Sequence, residues 1–346
     1  MNDKQLAALG VAALIMVILT VVVTREAPVT TDDVFRRGSY LVQGLDPQRI
    51  DGIYLERAGE SLRLARSGER FVILDKDSYP AVTKRVNDVF MTVVGIRCDE
   101  LVTADSGNHA ALGVDGGDKS TIIRFLDRDG DPKLGVIVGS AKEEDRSIRS
   151  YVRLEGDDRV YLSERTVPFV NVDFGGYVRE RFFEEEVDLF TELRIVNPRG
   201  GVAIKRKNGG FTVDGVSDID GKAAGDLLDR VVTMRLTDIA GKDDIDDIPF
   251  ETELTLRRRD KIIHRIKLGS RNGACFVKLE AIADFPGGKI AISPDESDES
   301  LREKEALLIA AEAVDTFNEQ HQGWIYEVDG AFDDFILKTP AELLLE

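Results

Sequence analysis

Residues 50–56 read Ile-Asp-Gly-Ile-Tyr-Leu-Glu, and residues 62–66 read Leu-Arg-Leu-Ala-Arg. Apolar and polar side chains alternate in both stretches, which is the pattern of a strand with one buried face. The pair Ala-Gly at 58–59 lies between them and favours a turn. A third short apolar run follows at 69–73. Together these stretches predict an antiparallel meander, and this meander decides the fold class.

A helical pattern follows the meander. Pro80 stands near its start, where proline is well tolerated. Apolar residues then recur at helical spacing, at Val82, Val86, Val89, Phe90, Val93 and Val94. Further alternating runs predict strands at 120–126, 134–140, 151–155 and 159–162. A helix covering one face of a mostly antiparallel sheet is an α+β arrangement.

The same order of elements recurs in the second half of the chain. Strand patterns occur at 191–196, 202–206 and 210–213. A predicted helix follows, with Asp220 as its N-cap and an apolar stripe of Ala224, Leu227, Leu228 and Val231. Strand patterns return at 253–257, 264–270, 276–280 and 289–292. An ordered series of this kind indicates an internal duplication.

The second copy carries an additional C-terminal tail. Ser300 and Glu303 have the spacing of a capping box, and we expect a helix from Ser300 to about Glu319. Strands are predicted at 324–328 and 335–337. Thr339 is the predicted cap of a short final helix, because proline and glutamate follow it at suitable positions. Trp324, the only tryptophan, is interpreted as a structural residue.

An uncharged apolar segment precedes the repeats. Residues 6–23 read LAALGVAALIMVILTVVV and would form a helix of roughly 27 Å, close to the hydrocarbon thickness of a bilayer. A cleaved signal peptide is the alternative, but it needs a shorter apolar core and a small-x-small site. We therefore predict an uncleaved transmembrane anchor that includes Leu6, Leu14, Ile15, Ile18 and Val23.

The orientation of this anchor is predicted from the large size of the globular part beyond it. Lys4 lies before the segment, and Arg25, Arg36 and Arg37 lie after it, so a simple positive-inside count favours a cytoplasmic domain. Large domains, however, translocate largely regardless of such charges. We expect the globular part to lie outside the cytoplasm. The predicted organisation is anchor 1–24, tether 25–44, first α+β repeat 45–185, and second repeat with its C-terminal helix and strands 186–346.

The composition narrows the range of partners. The chain has 346 residues and a formal net charge of −18, which repels phosphates, so no nucleic-acid partner is expected. Cys98 and Cys275 are the two cysteines, and they form no C-x-x-C motif. Two separate buried thiols are the favoured interpretation, and a single disulfide stays open if the compartment is oxidising.

Residue patterns that carry chemistry are sparse. The histidines are His109, His264 and His321, none at metal-ligand spacing. Residues 127–131 read Asp-Arg-Asp-Gly-Asp, but the run lacks the glycine and glutamate positions of a calcium loop, and a hairpin turn explains it better. The acidic run at 243–247 is interpreted as a solvated bend. We predict no catalytic, cofactor-binding or metal-binding residue, and therefore no enzyme.

One basic cluster stands out against the acidic background. Arg257, Arg258, Arg259 and Lys261 lie at the predicted end of a strand and its turn. Such a cluster could dock an acidic partner, because complementary charges steer and orient association. These four residues are the predicted docking patch.

Several motifs resemble those of the bacterial family called domain of unknown function 4340. They are Leu-Asp-Pro before the first strand at 45–55, the helix at 86–94, Ala-Leu-Gly-Val at 111–114, Val-Gly-Ser at 138–140 and Tyr-Val-Arg-Leu at 151–154. Phe71 and Phe211 stand where the family usually has tryptophan, and Asp115-Gly116 stands in place of a proline. The resemblance covers most of the chain after Leu45. It implies a single-pass protein of the bacterial inner membrane, with a periplasmic domain auxiliary to ABC-type transporters of the gliding-motility kind.

The functional expectation rests on the anchor, the duplication and the resemblance. We expect a non-catalytic, membrane-anchored interaction or scaffold subunit that needs no cofactor and contacts other membrane or envelope subunits. The alternative is a small-ligand-binding protein that uses the groove between the two repeats. A hydrolase of unrecognised type is the third hypothesis, since paired carboxylates are available in so acidic a chain.

Overall fold

The computed structural model describes residues 35–144, 147–207, 209–214, 221–240, 247–285, 296–339 and 341–344. The predicted anchor at 6–23, the N-cap Asp220 and the predicted strand at 289–292 lie outside these ranges. Across the part of the chain that the structure describes, no helix is both long and apolar enough to cross a membrane.

The chain divides into two compact units. The first comprises the described residues up to Asp75 together with Pro80–Tyr177. The second comprises Lys76–Tyr79 together with the described residues from Val178 onward.

The first part of the chain forms a ten-stranded sheet. Its strands and helices are β1 (Ser39–Tyr40), β2 (Gly52–Arg57), β3 (Glu60–Ser67), β4 (Arg70–Ile73), β5 (Tyr79–Pro80), α1 (Thr83–Val94), β6 (Arg97–Thr103), α2 (His109–Leu112), β7 (Thr121–Leu126), β8 (Pro132–Glu144), β9 (Ser147–Leu154) and β10 (Val160–Ser163). The strand order is β1-β6-β10-β9-β8-β7-β2-β3-β4-β5.

The second part forms an eight-stranded sheet. Its elements are β11 (Phe190–Asn197), β12 (Gly200–Lys207), β13 (Gly210–Val213), α3 (Gly221–Val232), β14 (Leu236–Ile239), β15 (Thr252–Arg258), β16 (Ile262–Arg271), β17 (Ala274–Ala283), α4 (Asp298–His321), β18 (Tyr326–Val328) and α5 (Asp334–Leu337). The strand order is β13-β12-β11-β15-β16-β17-β18-β14. Short 3-10 turns occupy Pro47–Arg49, Leu74–Lys76, Ser106–Asn108, Phe174–Tyr177, Val187–Leu189, Gly330–Asp333 and Glu342–Leu344.

Neighbouring strands run antiparallel from β1 through to β4 in the first sheet and throughout the second sheet, so the predicted α+β class with two antiparallel sheets is confirmed. The two sheets also share a strand order. Reading β6-β10-β9-β8-β7-β2-β3-β4 in the first sheet corresponds, position by position, to β14-β18-β17-β16-β15-β11-β12-β13 in the second. In this order the counterpart of β10 is β18, whereas the sequence pattern matches β10 with residues 289–292.

The two main helices follow their predicted apolar stripes. Val86, Val89, Phe90 and Val93 of α1 are buried, and Phe90 stacks on Phe125 of β7 with ring centroids 4.8 Å apart. In α3 the predicted residues Ala224, Leu227, Leu228 and Val231 are buried. The predicted helix start near Pro80 was too early, because Pro80 pairs into β5 and the helix begins at Thr83 after the N-cap Val82.

Two predictions for the C-terminal tail were wrong. Helix α4 is capped by Ser297 and not by Ser300, since the Ser297 side chain accepts a hydrogen bond from the Ser300 amide at 3.3 Å and two acidic residues follow it in the first turn. The predicted strand at 335–337 is instead the helical turn α5, in which buried Phe335 stacks on Phe332.

The other tail predictions are confirmed in outline. The predicted strand at 324–328 is present as β18. Thr339 caps the final turn, because its hydroxyl accepts from the Glu342 amide at 3.3 Å and its own amide donates to the Glu342 carboxylate at 2.7 Å. That turn is a short 3-10 segment, Glu342–Leu344.

Candidate functional site

The predicted docking cluster at the end of β15 is largely neutralised within the chain. Strand alternation turns Arg258 inward, where it is 8% exposed and pairs with Glu185 and, at 2.5 Å, with Asp260. Arg257 points to the other face and contacts Asp284 and, at 3.7 Å, Glu192. These two arginines therefore already have carboxylate partners.

The remaining two residues of that cluster stay at the surface. Arg259 donates a hydrogen bond to the main-chain oxygen of Asp188 at 3.2 Å. Lys261 is exposed and has a φ of 64° in the turn between β15 and β16. Docking by this cluster stays a prediction, and the structure narrows its available cations to Arg259 and Lys261.

The acidic run at 127–131 is a hairpin turn between β7 and β8, in agreement with the sequence pattern. The Asp127 carboxylate accepts hydrogen bonds from the amides of Asp129 and Asp131 at 3.0 and 2.9 Å. It also pairs with Lys133 at 2.5 Å, and this contact is the main cause of the lowered pKa of Asp127. The carboxylate is thus committed to the turn. Within the described ranges, no three His, Cys, Asp or Glu side chains gather as a metal site would require.

The three histidines are all buried. His109 has Nε2 3.0 Å from the main-chain oxygen of Asp158, so it is satisfied, although the sequence placed it in a polar loop. His264 of β16 is 2% exposed and packs among the rings of Phe183, Phe190 and Phe317. Neither ring nitrogen of His264 has a partner among the described residues. Burial lowers the pKa of His264 to about 3, so the ring is neutral at pH 7.

His321 ends helix α4 and is 4% exposed. Its Nδ1 lies 2.9 Å from the hydroxyl of Tyr326. Burial lowers the pKa of His321 to about 4. His321 lines a cavity of the second unit.

The two cysteines are separate buried thiols, in agreement with the favoured interpretation of the sequence. Cys98 lies in β6 and Cys275 in β17. Burial raises the pKa of each thiol to about 12, so neither is a ready nucleophile at neutral pH.

A cationic pocket lies on the second sheet beside the end of α4. We use this name for the cavity of about 420 Å³ lined by Arg265, Lys267, Leu279, Lys278, Glu280 and the segment from His321 to Ile325. Its cations stand on the outward-facing positions of β16 and β17, and each is exposed. The half-buried ring of Trp324 supplies an aromatic wall.

The strand register decides the charge pattern in this pocket. Arg265 lies opposite Glu280, with an ion pair at 3.9 Å. Lys267 lies opposite Lys278, and like charges at facing positions repel. The Lys278 ammonium lies 4.2 Å from the ring centroid of Phe250, which stabilises it without neutralising its charge.

The sequence patterns did not predict this site, although part of its signal lies in the strands. The alternation Arg-Ile-Lys at 265–267, with Lys278 on the following strand, would have placed the three cations on one face of a hairpin. The position of Trp324 in the pocket could not be predicted from the strand pattern, because a helix of 24 residues lies before Trp324 in the chain. Gly323, with a φ of 85°, provides the left-handed turn that brings Trp324 back to the sheet.

A second cavity, in the first unit, has a balanced charge. It measures about 530 Å³ and is lined by Arg37, Gly38, Asp99, Arg149 and Glu164. The Asp99 carboxylate bridges the two arginines, with Arg149 at 2.8 Å. Because its carboxylates match its guanidinium groups, this cavity offers little excess charge to a ligand.

The chemistry that the cationic pocket supports is recognition of anions. Lys and Arg side chains beside an aromatic ring can hold a carboxylate or phosphate and an adjacent apolar group. The lining holds one carboxylate, Glu280, which faces Arg265. Glu253 of β15 lies opposite Lys267, so the three cations keep an excess of positive charge over these two carboxylates.

Comparison with known proteins places the chain in one family. A family model described as Domain of unknown function (DUF4340) matches residues 72–253, more than half of the chain. Searches of curated proteins and of solved structures found no match. The resemblance drawn from the sequence motifs is thereby confirmed. The chain belongs to the family described as Domain of unknown function (DUF4340).

Proposed function

We propose that this protein is a non-catalytic, single-pass membrane-anchored subunit that docks an acidic partner in the bacterial envelope, as an auxiliary to an ABC-type transporter or a similar complex. The observation that carries the proposal is the cationic pocket. It gathers Arg265, Lys267 and Lys278 on one sheet of a chain whose net charge is −18. A local cation cluster on an acidic protein gives orientation to an acidic partner while the rest of the surface repels it.

The anchoring half of the proposal is supported by the sequence. Residues 6–23 hold eighteen residues without a charge, long enough for a helix that spans the hydrocarbon core. A membrane-bound subunit with its globular part outside the cytoplasm would meet envelope partners at that surface. The family resemblance to membrane-anchored auxiliary proteins supports the same location.

An internal duplication is part of this proposal. Eight strands occur in the same spatial order in both sheets, and helices α1 and α3 follow the third strand of the corresponding meanders. One copy would then carry the cationic pocket, and the other would be free to diverge. Superposition of β6–β10 and β2–β4 on their counterparts would test the common origin.

A small anionic ligand is the second candidate for what the protein binds. It is favoured by the pocket volume of about 420 Å³, which lies in the usual range for small-ligand sites. This candidate differs from the groove between repeats expected from the sequence, because the residues of the pocket all belong to the second unit.

Co-purification from membranes tests the proposed function. The tagged full-length chain is recovered from cell membranes in mild detergent, and bound proteins are identified by mass spectrometry. We expect the same envelope protein with the wild type and with Lys84→Glu, an exposed control in α1. The double variant Lys267→Glu, Lys278→Glu should recover about tenfold less. A chain found in the soluble fraction, or equal recovery with all variants, would contradict the proposal.

A further inference from the structure

We propose that the cationic pocket recognises an extended acidic peptide segment of the partner, with one carboxylate held between Lys267 and Lys278 and an apolar side chain packed against Trp324. This inference rests on the proposed docking function and names the chemistry of the docked segment. It assigns the binding site to one face of β16 and β17 and to the segment that follows α4.

The two lysines of the pocket face each other across neighbouring strands. Lys267 and Lys278 occupy paired positions, so their Cβ atoms are about 4.5–5.5 Å apart. Both are exposed, and neither forms an ion pair with any residue that the structure describes. Glu253 lies opposite Lys267 on the other side, in β15. One carboxylate placed between the two ammonium groups would relieve their repulsion and pair with both.

Arg265 adds a third cation to the pocket. Its contact with Glu280 is long, 3.9 Å, and its side chain is 43% exposed. A guanidinium with an exposed face can bind another carboxylate in a bidentate manner. The pocket therefore suits a segment with two nearby acidic side chains better than a single isolated charge.

His321 adds hydrogen-bonding capacity to the pocket. This residue is only 4% exposed, and it lines the cavity. Nδ1 is engaged by the Tyr326 hydroxyl at 2.9 Å, and Nε2 has no partner among the described residues. When Tyr326 donates to Nδ1, the neutral ring carries its proton on Nε2 and donates to a bound oxygen.

The aromatic wall of the pocket favours a ligand that carries an apolar side chain as well as negative charge. Trp324 packs edge-on against Tyr79, with ring centroids 4.8 Å apart, and this contact holds the indole in place. Buried Ile325 follows it at the rim. Tryptophan is enriched at the centres of protein interfaces because it buries a large apolar area. An apolar side chain between the acidic residues would fill this part of the pocket.

The size of the pocket sets the form of the occupant. A volume of about 420 Å³ accommodates a few side chains, so the part of the partner that enters it is a short segment. A long polyanion such as nucleic acid would meet the repulsion of the −18 chain beyond the pocket. A short peptide confines its negative charge to the cations, so a peptide segment is favoured.

Intrinsic fluorescence reports directly on this site, because Trp324 is the only tryptophan of the protein. The detergent-solubilised full chain is titrated at low salt with acetyl-Asp-Glu-Phe-Asp-Glu-amide, which contains no tryptophan. The control peptide carries lysine at the acidic positions. We expect a saturable change in emission with the acidic peptide and none with the control. Salt at about 1 M, where the Debye length is about 3 Å, should weaken binding at least about tenfold.

Variants separate the pocket from general effects. Lys267→Gln with Lys278→Gln removes the charges with little change in shape, and Lys267→Glu with Lys278→Glu reverses them. Each double variant should bind the acidic peptide about tenfold more weakly or worse, whereas Lys84→Glu in α1 should bind it as the wild type does. Circular dichroism identical to the wild type verifies that each variant is folded.

Three outcomes would overturn the inference. They are an absent response to the acidic peptide, an equal response in the double variants, and an equal response to inorganic phosphate at matched ionic strength. Phosphate binding alone would mark a general anion site. If these outcomes appear while the wild type still recovers its envelope partner, the docking function stands and the peptide assignment fails.

Discussion

Lys267 of β16 and Lys278 of β17 face each other directly across the strand pair. Further along the same strands, Arg265 faces Glu280, so the hairpin has a favourable charge pair beside an unfavourable one. Facing like charges destabilise a sheet by up to about 1 kcal/mol. In the free protein this pair therefore opposes folding, and a bound carboxylate would turn the same two charges into a stabilising contact.

Repulsion between the two lysines predicts a measurable coupling. A double-mutant cycle with Lys267→Gln and Lys278→Gln should give an interaction energy of about 0.2–1 kcal/mol in the destabilising direction. The cycle cancels the contact of Lys278 with Phe250, since that contact is lost in both legs that alter Lys278. Urea unfolding followed by Trp324 fluorescence measures the four stabilities. A coupling of favourable sign, or one insensitive to salt, would show that the two charges do not repel.

The buried histidines predict a loss of stability at acid pH. The folded pKa values of His264 and His321 are about 3 and about 4, below the ordinary value of 6.5. At a pH between the folded pKa values and 6.5, the unfolded chain binds more protons than the folded chain. The contribution of the neutral histidines to stability is therefore fully present above about pH 6.5 and falls as the pH drops. By about pH 5 each histidine should cost about 2 kcal/mol. Urea unfolding at several pH values, read by Trp324, measures the effect.

A variant isolates the contribution of one histidine. His264→Leu removes the ring whose nitrogens have no partner among the described residues, and it keeps an apolar side chain among the surrounding phenylalanines. The fall in stability between about pH 6.5 and pH 5 should be reduced by about half. An unchanged pH dependence would mean that His264 is not held neutral in the folded chain.

Local patterns predicted much of the fold because strands and helices leave short-range signatures. The alternation in β2, β3, β11 and β12 and the stripes of α1 and α3 identified these elements. The errors arose where tertiary contacts decide the conformation. Phe335 and its two apolar neighbours suit a strand locally, but Phe335 is buried against Phe332 in a helical turn.

The candidate site was less predictable than the fold. The arginine run ending β15 attracted attention by composition, yet alternation directs Arg258 inward to Glu185 and Asp260. The cations of the pocket are dispersed along two strands and need the register of Lys267 with Lys278 to be recognised. Trp324 joins them only because β18 returns to β17 after a long helix, a pairing that no local pattern reveals.

We predict that Asn318 of α4 contributes strongly to the stability of the second unit. Its amide oxygen accepts from the Ala281 amide and its amide nitrogen donates to the Ala281 oxygen, both at 2.8 Å. The side chain thus continues the edge of β17 beyond its pairing with β18. Asn318→Ala should destabilise this unit by about 1–3 kcal/mol, measured by urea unfolding at Trp324. The control Asn108→Ala, in the first unit, should leave the midpoint of the unfolding transition at Trp324 unchanged.

We predict that the two cysteine thiols react slowly with a thiol reagent in the folded chain and quickly in the denatured chain. Burial raises the pKa of Cys98 and Cys275 to about 12, so a thiol reagent at about pH 8 should react slowly with the folded chain. In denaturant without reductant, both thiols of the chain should react quickly. Recovery of no free thiol would show that the two cysteines are joined in a disulfide and would contradict their description as separate buried thiols.

Photo-crosslinking from inside the pocket tests docking most directly. A photoreactive residue replaces exposed Gln322, which lines the cavity beside Trp324, in the full-length chain in intact cells. Mass spectrometry then identifies the attached peptide. We expect an Asp- and Glu-rich segment of an envelope protein to be attached at position 322 and not at a control position replacing Lys84. Attachment to no polypeptide, or to segments without acidic residues, would contradict it.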